Sequence, residues 1–358
     1  MVDWSVADIQ IHGNQDRGAN FVYDTQKKKF FFSFVISYTE TCEIPGITVA
    51  GENKELVKFT PPADAEFLHY GFCKCINAIP MTPDGKPTPA LLTKTALEAA
   101  SIPHIVINSG SKIVPQIPYL ETGIKFGKNI SLEPALDRSS VLHAVDYGRI
   151  IGRTLASLTD CLVIGESIPG GTTTALAVLK GLGINAMVSS SMPQNPTELK
   201  KKVVFDALKR LGSDDPYEVV ANVGDPMIPL VAGMISSASQ ITNVMLAGGT
   251  QMAAVLAFGN SVGFNQDKLA IGTTSYIIED KSANFVDTVK KISDVPILVV
   301  NPKLANSKIT GLKAFSDGFV KEGAGAGGSM ISAILKTGIT TQTLLELIEK
   351  EYQKIIGQ

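Results

Sequence analysis

Apolar residues along this chain gather into short runs, and between the runs they recur at helical spacing. From about residue 100 the runs are PHIVINSG (103–110), DCLVIG (160–165), INAMVSS (184–190), NVMLAGG (243–249), KLAIGTTSYII (268–278) and PILVVN (296–301). Short runs that stay apolar on both faces predict strands of a covered, parallel sheet. ALDRSSVLHAVDYGRIIGRTLASL, before the second run, and TELKKKVVFDALKRLG, after the third, carry helical patterns. Strands alternating with helices imply βαβ units, so the expected fold is α/β, a doubly wound, mostly parallel sheet of about six strands.

The two ends of the chain read differently. KKKFFFSFVISYTET (27–41) partly alternates like a strand, and turn signals follow at Pro45-Gly46 and Pro61-Pro62. A proline-rich turn, MTPDGKPTP (81–89), leads into the helical pattern ALLTKTALEAAS. At the other end SMISAILKTG and TTQTLLELIEKEYQKIIG predict two helices. The last bears an apolar stripe of Leu344, Leu345, Ile348, Tyr352, Ile355 and Ile356. The expected division is 1–99 as an N-terminal segment contributing to a smaller lobe, 100–330 as a Rossmann-like nucleotide-binding domain, and 331–358 as C-terminal helices that complete the smaller lobe.

Composition narrows the class. A chain of 358 residues buries a large core, and a formal net charge of −2 without a basic block argues against a nucleic-acid partner. No apolar run approaches the roughly 20 residues of a membrane span. MVDWSVADIQIHG carries two acids and no long apolar core, unlike a secretory signal. The four cysteines, Cys42, Cys73, Cys75 and Cys161, are irregularly spaced, and the Cys73-Lys74-Cys75 pair lacks a second ligand pair. The expectation is a reduced cytoplasmic protein with no metal and no redox cofactor.

In an open parallel sheet, ligands bind beyond the carboxyl ends of the strands. Three segments there are rich in glycine: GESIPGGTTT after the second run, LAGGTQ (246–251) after the fourth, and KEGAGAGGS (321–329). Glycine lets backbone approach a ligand, and the amides of a helix start favour a phosphate. Together they point to a phosphorylated small molecule. A P-loop is excluded, because Gly171 stands where its lysine belongs. Gly323, Gly325 and Gly328 fit G-x-G-x-x-G, but only helices follow, so a dinucleotide site is excluded as well. Glu166 and Glu322 each place a carboxylate in a loop suited to an anion, which argues for work on the ligand's other end: accepting a proton from a nitrogen nucleophile, or holding ribose hydroxyls.

Taken in order, these blocks resemble the nicotinate-nucleotide–dimethylbenzimidazole phosphoribosyltransferases over roughly residues 100–335. The resemblance rests on IVINSG with ETGIKFGKNISLEPAL, on Ala144 and Gly148 in the next helix, and on VIGESIPGGTTTALAVL. It continues through the Lys200–Lys202 run, NVGDPMIPLVAGMISSAS, VMLAGGTQMAAVLAF and FVKEGAGAGGSM. It implies transfer of the phosphoribosyl group of nicotinate mononucleotide to a benzimidazole-like base, with release of nicotinate and inversion at the anomeric carbon, in cobamide (cobalamin) lower-ligand synthesis. It implies Glu322 as the general base and Glu166 beside the ribose. Gly170, Gly171, Thr172 and Thr173 would take the phosphate with a lysine of the 200–202 run, Lys202 being favoured. Gly248, Gly249, Thr250 and Gly323 would complete the pocket. The resemblance also implies a homodimer, with small-molecule substrates as its partners.

The departures from the family pattern are specific. Ile168 and Pro169 replace Gly and Ile in the first loop, and Gly171 replaces Asn. The Asp-His-Gly motif of the family's N-terminal third is absent, and NPKLANSKITGL lacks the family's histidines. This pattern describes a divergent branch whose cleft chemistry is kept and whose acceptor pocket is rebuilt. The alternative is a non-catalytic nucleotide-binding protein of the same fold, and release of nicotinate discriminates the two.

Overall fold

The computed structural model describes residues 8–50, 54–76, 81–82 and 85–357. The first seven residues and Pro83-Asp84 of the proline-rich turn lie outside the described residues. Eight strands form one sheet: β1 (Ile9–His12), β2 (Phe30–Ile36), β3 (His104–Asn108), β4 (Leu120–Glu121), β5 (Cys161–Ser167), β6 (Asn243–Ala247), β7 (Leu269–Thr274) and β8 (Ile297–Val300). Their order is β1-β8-β7-β6-β5-β2-β3-β4. Every pairing is parallel except the edge pair β1 and β8. The α/β, mostly parallel expectation holds with a slightly larger strand count.

Strand alternation sorts the core into two layers. Leu162 and Ile164 of β5, with Val244 and Leu246 of β6, face helices Arg138–Ala156, Gly171–Gly181, Met227–Ala238 and Thr250–Val262. Cys161, Val163, Met245 and Ala247 face the opposite layer, which contains helices Thr60–Tyr70, Ala90–Ala99, Ala326–Thr337 and Thr341–Ile356. The N-terminal helices Thr60–Tyr70 and Ala90–Ala99 and the C-terminal helices Ala326–Thr337 and Thr341–Ile356 pack together as a layer on one face of the sheet.

Two local expectations are corrected. Residues 30–36 of the N-terminal segment do not stand apart: β2 lies between β3 and β5, paired to both. Phe30, Phe32 and Phe34, together with Ile36, give it the wholly apolar inward face that a central position requires. Residues 184–190 form no strand. Their backbone is bonded largely by side chains instead: Asn284 Oδ1 accepts from Met187 N at 2.6 Å, Asn195 Nδ2 donates to Val188 O at 2.7 Å, and Thr250 Oγ1 accepts from Ser189 N at 3.3 Å. An extended run served this way turns off the sheet, and it delivers Ser189–Ser191 to the strand ends.

Glycines set how closely the layers meet. Helix Ala326–Thr337 lies directly on the sheet, so that a Cβ at Gly327 would strike the Thr273 backbone and one at Gly328 would strike Ala247. Much of the KEGAGAGGS composition thus serves helix-on-sheet contact. Among the described residues, no helix is long and apolar enough to cross a membrane.

Candidate active site

The carboxyl ends of β5, β6 and β7 open into a cavity of about 950 Å³. β5 ends in Glu166 and Ser167, and the chain then turns through Ile168 and Pro169 into helix Gly171–Gly181. Gly170 makes this turn with φ +76°, and a Cβ there would lie 2.9 Å from Cα and Cβ of Cys42. Both the dihedral and the space demand glycine. Gly170, Gly171, Thr172, Gly249, Thr250, Glu166, Glu322 and Gly323 all line the cavity, so three segments distant in sequence meet there. Thr173 and Gly248 are not among its lining residues; the Thr173 hydroxyl is buried with no hydrogen-bond partner among the described residues.

The lysine assignment is corrected by one helical face. On helix Thr197–Leu208 the buried positions are Lys200, Val203, Val204 and Ala207, spaced i, i+3, i+4 and i+7. Lys200 is 1% exposed, whereas Lys202 faces solvent on the other side. Lys200 Nζ donates to Thr172 Oγ1 at 3.0 Å and to Ser189 O at 2.7 Å, so it stands directly behind two lining residues. Burial, reinforced by the nearby Lys321 charge, pushes its ammonium down to about 7. Asp280, which acts in the opposite sense, also accepts from Ser189 Oγ at 2.6 Å and pairs with Lys321 Nζ at 3.0 Å. Lys321 in turn donates to the carbonyls of Ser190 and Met192. Two lysines thus hold the 189–192 segment at the cavity.

Carboxyl groups gather at the same cavity. Glu322 Oε2 accepts from Thr274 N at 3.0 Å and Thr273 Oγ1 at 3.3 Å, and Oε1 accepts from Gly323 N at 3.1 Å and Gly327 N at 3.2 Å. Burial pushes its carboxyl up to about 7 against these hydrogen bonds. Its neighbours Val320, Lys321 and Ala324 adopt φ of +64°, +58° and +51°. Left-handed backbone is costly for non-glycine residues, above all for a β-branched valine, and such strain concentrates where function needs a fixed carboxylate.

Glu166 is 3% exposed. Burial first, then repulsion from Asp225, Glu322 and Asp64, pushes its carboxyl up to about 8, and the Ile168 backbone acts against this. Near neutral pH it is mainly a protonated acid that can donate a hydrogen bond. Asp64 and Asp225, both buried, are each raised to about 6. Asp225 accepts from Thr174 Oγ1 at 2.5 Å and from the N–H groups of Met227 and Ile228, which fixes the start of helix Met227–Ala238 against helix Gly171–Gly181. Among the described residues no cluster of three or more His, Cys, Asp or Glu forms a metal site.

Known proteins resemble the chain in sequence and in fold. Residues 98–270 match the family model for phosphoribosyltransferases, DBI_PRT. A UPF0284 protein of Archaeoglobus fulgidus is 47% identical over 340 residues, covering 95% of this chain and 98% of that protein. A UPF0284 protein of Sulfurisphaera tokodaii is 44% identical over 335 residues, covering 92% and 95%. The fold is similar to that of the nicotinate-nucleotide–dimethylbenzimidazole phosphoribosyltransferase from Thermus thermophilus, with TM-score 0.60 and 17% identity over 94% of this chain and 92% of that one. A structure of CobT from the same organism gives TM-score 0.56 at 18% identity, covering 89% and 83%.

Proposed function

The chain belongs to the UPF0284 family, and we propose that it is a phosphoribosyltransferase, from a divergent branch of the nicotinate-nucleotide–dimethylbenzimidazole phosphoribosyltransferases. Its donor is nicotinate mononucleotide, its acceptor a benzimidazole-like base, and its product the lower-ligand nucleotide of a cobamide. The observation that carries this reading is the convergence of two kinds of group on one cavity. Thr172 and the serines, with Lys200 behind them, suit a phosphate, and Glu322, oriented by three backbone N–H groups, lines the same cavity.

In this reading the phosphate lies against Gly170–Thr172 and Ser189–Ser191, with Lys200 supplying charge from behind. An unprotonated ring nitrogen of the acceptor forms the new bond to the anomeric carbon as the bond to the nicotinate nitrogen breaks, the electron pair leaving with nicotinate. The acceptor's ring N–H proton passes to the Glu322 carboxylate. A base poised near neutrality both accepts that proton and stabilises the cationic ring that forms. Protonated Glu166 is placed to donate to a ribose hydroxyl. Incubating the protein with nicotinate mononucleotide and a panel of benzimidazoles and following nicotinate by chromatography tests the reading. Tight nucleotide binding without nicotinate release would instead establish a binding protein of the same fold.

A further inference from the structure

Asp64 is the one carboxylate of the cavity that phosphoribosyl transfer leaves without a task. It lies on helix Thr60–Tyr70, 6% exposed, and lines the cavity beside Phe59 and Ala63. The cavity lining also includes the apolar Ile47, Val49 and Leu56. Thr88 Oγ1 donates to its Oδ1 at 2.6 Å and Ser167 Oγ to its Oδ2 at 2.7 Å. Asp225 is also buried, but two N–H groups hold it at a helix start, away from the cavity lining. Asp280 has a lysine partner. Asp64 has neither arrangement. Two hydroxyls fix the direction of its carboxyl, and each oxygen keeps a lone pair for a further donor.

A buried acceptor group in a partly apolar cavity is a recognition element. A ligand that brings a donor fills its remaining acceptor capacity, and a ligand that brings only carbon leaves that capacity desolvated and unfilled. We propose that Asp64 is a specificity-determining residue, and that the acceptor is a fused nitrogen heterocycle carrying an amino or hydroxyl donor on the edge remote from the attacking nitrogen. The proposal rests on the phosphoribosyltransferase reading for its chemistry. Its geometry, a donor meeting Asp64 while the attacking nitrogen faces the sugar, is that of direct binding.

The test compares two acceptors of nearly equal shape, 5-aminobenzimidazole and 5-methylbenzimidazole, by calorimetric binding to the protein with nicotinate mononucleotide present and by kcat/KM for nicotinate release. The amino compound is expected to be favoured at least about tenfold in both. Asp64→Ala should bring the ratio close to one with the nucleotide's KM unchanged. Asp64→Asn, which keeps the shape and partners for Thr88 and Ser167, covers the case in which the alanine variant does not fold, and its ratio should fall to an intermediate value. Equal affinity for the two acceptors in the unaltered protein, or a preference that survives both substitutions, overturns the assignment, as does failure of both to bind. Preferential binding of the amino compound without nicotinate release would sink the transferase reading and leave Asp64 as the discriminating residue.

Discussion

Lys200 donates its ammonium to the hydroxyl of Thr172 at 3.0 Å, which links a buried cation to the first turn of the helix that follows the glycine loop. The lysine thus adds charge from behind Thr172 and Ser189 to the amides of a helix start that favour an anion. Lys200→Met should keep the packing of helix Thr197–Leu208 and raise the KM for the nucleotide by about ten- to a hundredfold, the range of a charge-assisted contact worth ~1.5–3 kcal/mol. Melting temperature should hold, because a buried ammonium destabilises the fold that contains it. Lys202→Ala should leave KM within about twofold, because Lys202 faces solvent. A larger effect at Lys202 in steady-state kinetics would refute the placement.

How much of this was legible beforehand depends on the physics of each part. The strand at 160–165, its glycine loop and the alternation with helices announced the sheet and its ligand edge, because periodicity and turn chemistry are local. Lys200 was legible too. Read with Val203, Val204 and Ala207 it shares their stripe, and a register set by motif resemblance alone pointed to Lys202 instead. Asp64 was not legible: in TPPADAEFLHY it resembles any helical acid, and its role depends on Ser167, 103 positions away. The 184–190 run read as a strand because a short apolar run does not show whether a neighbouring strand or, as here, the side chains of Asn284, Asn195 and Thr250 bond its backbone.

Gly171 bears directly on the cavity wall. A Cβ there would lie 2.7 Å from Ile168 Cγ2 and 3.2 Å from Gln251 Cγ and Nε2. Both neighbours are cavity-lining side chains, so they would turn inward to make room. Gly171→Ala should therefore raise the nucleotide's KM several-fold, with kcat little changed and a stability loss of about 1 kcal/mol. Unaltered nucleotide affinity by calorimetry would remove this loop as the phosphate anchor.

The pH dependence of kcat/KM around neutrality follows from two groups, with Glu166 ionising higher, at about 8. Glu322, raised to about 7, accepts a proton only when ionised, so the rate falls on the acid side of neutrality. Lys200, lowered to about 7, attracts phosphate only when charged, so the rate falls on the alkaline side. A narrow bell centred near pH 7 is expected. In Lys200→Met the acid limb should stay and the alkaline limb should move up towards pH 8, where Glu166 ionises, and an alkaline limb that stays near 7 would assign it elsewhere.

Glu166 makes a separate statement about stability. Its carboxyl rises from 4.5 to about 8 on folding, so between those values the folded protein holds a proton that the unfolded chain gives up. Its contribution is therefore full below about pH 4.5 and is lost as pH climbs towards 8. Lys200, lowered from 10.5 to about 7, acts oppositely, because above pH 7 the unfolded chain holds the extra proton and stability rises with pH. Glu166→Gln isolates the first effect. Its denaturant-derived stability relative to the unaltered protein should improve between pH 5 and pH 8.5 by on the order of 2–4 kcal/mol. A constant difference across that range would mean that Glu166 ionises normally inside the fold.

Glu322→Gln is the sharpest test of the chemistry, and its structural cost can be foreseen. Both carboxylate oxygens accept N–H donors, Thr274 on one side and Gly323 with Gly327 on the other. A glutamine must turn its NH₂ towards one set, leaving at least one buried N–H without an acceptor at about 1–3 kcal/mol. The variant should therefore melt several degrees lower yet fold, since the Gly327 and Gly328 contacts that seat helix Ala326–Thr337 on the sheet are untouched. Nucleotide binding should persist, because this side chain bonds Thr273, Thr274, Gly323 and Gly327 rather than the 170–172 loop or the 189–191 segment. Turnover should fall by about 10²–10⁴, the usual contribution of a positioned base. The remaining activity should lose its acid limb, since glutamine has no proton to gain in that range. Single-turnover release of nicotinate across pH 5.5–8.5, set beside nucleotide affinity from calorimetry, separates these effects. Near-normal turnover with nucleotide bound would make Glu322 a brace for the strained 320–324 segment and pass the proton-accepting role to Glu166, whose carboxyl would then have to be ionised in the nucleotide complex.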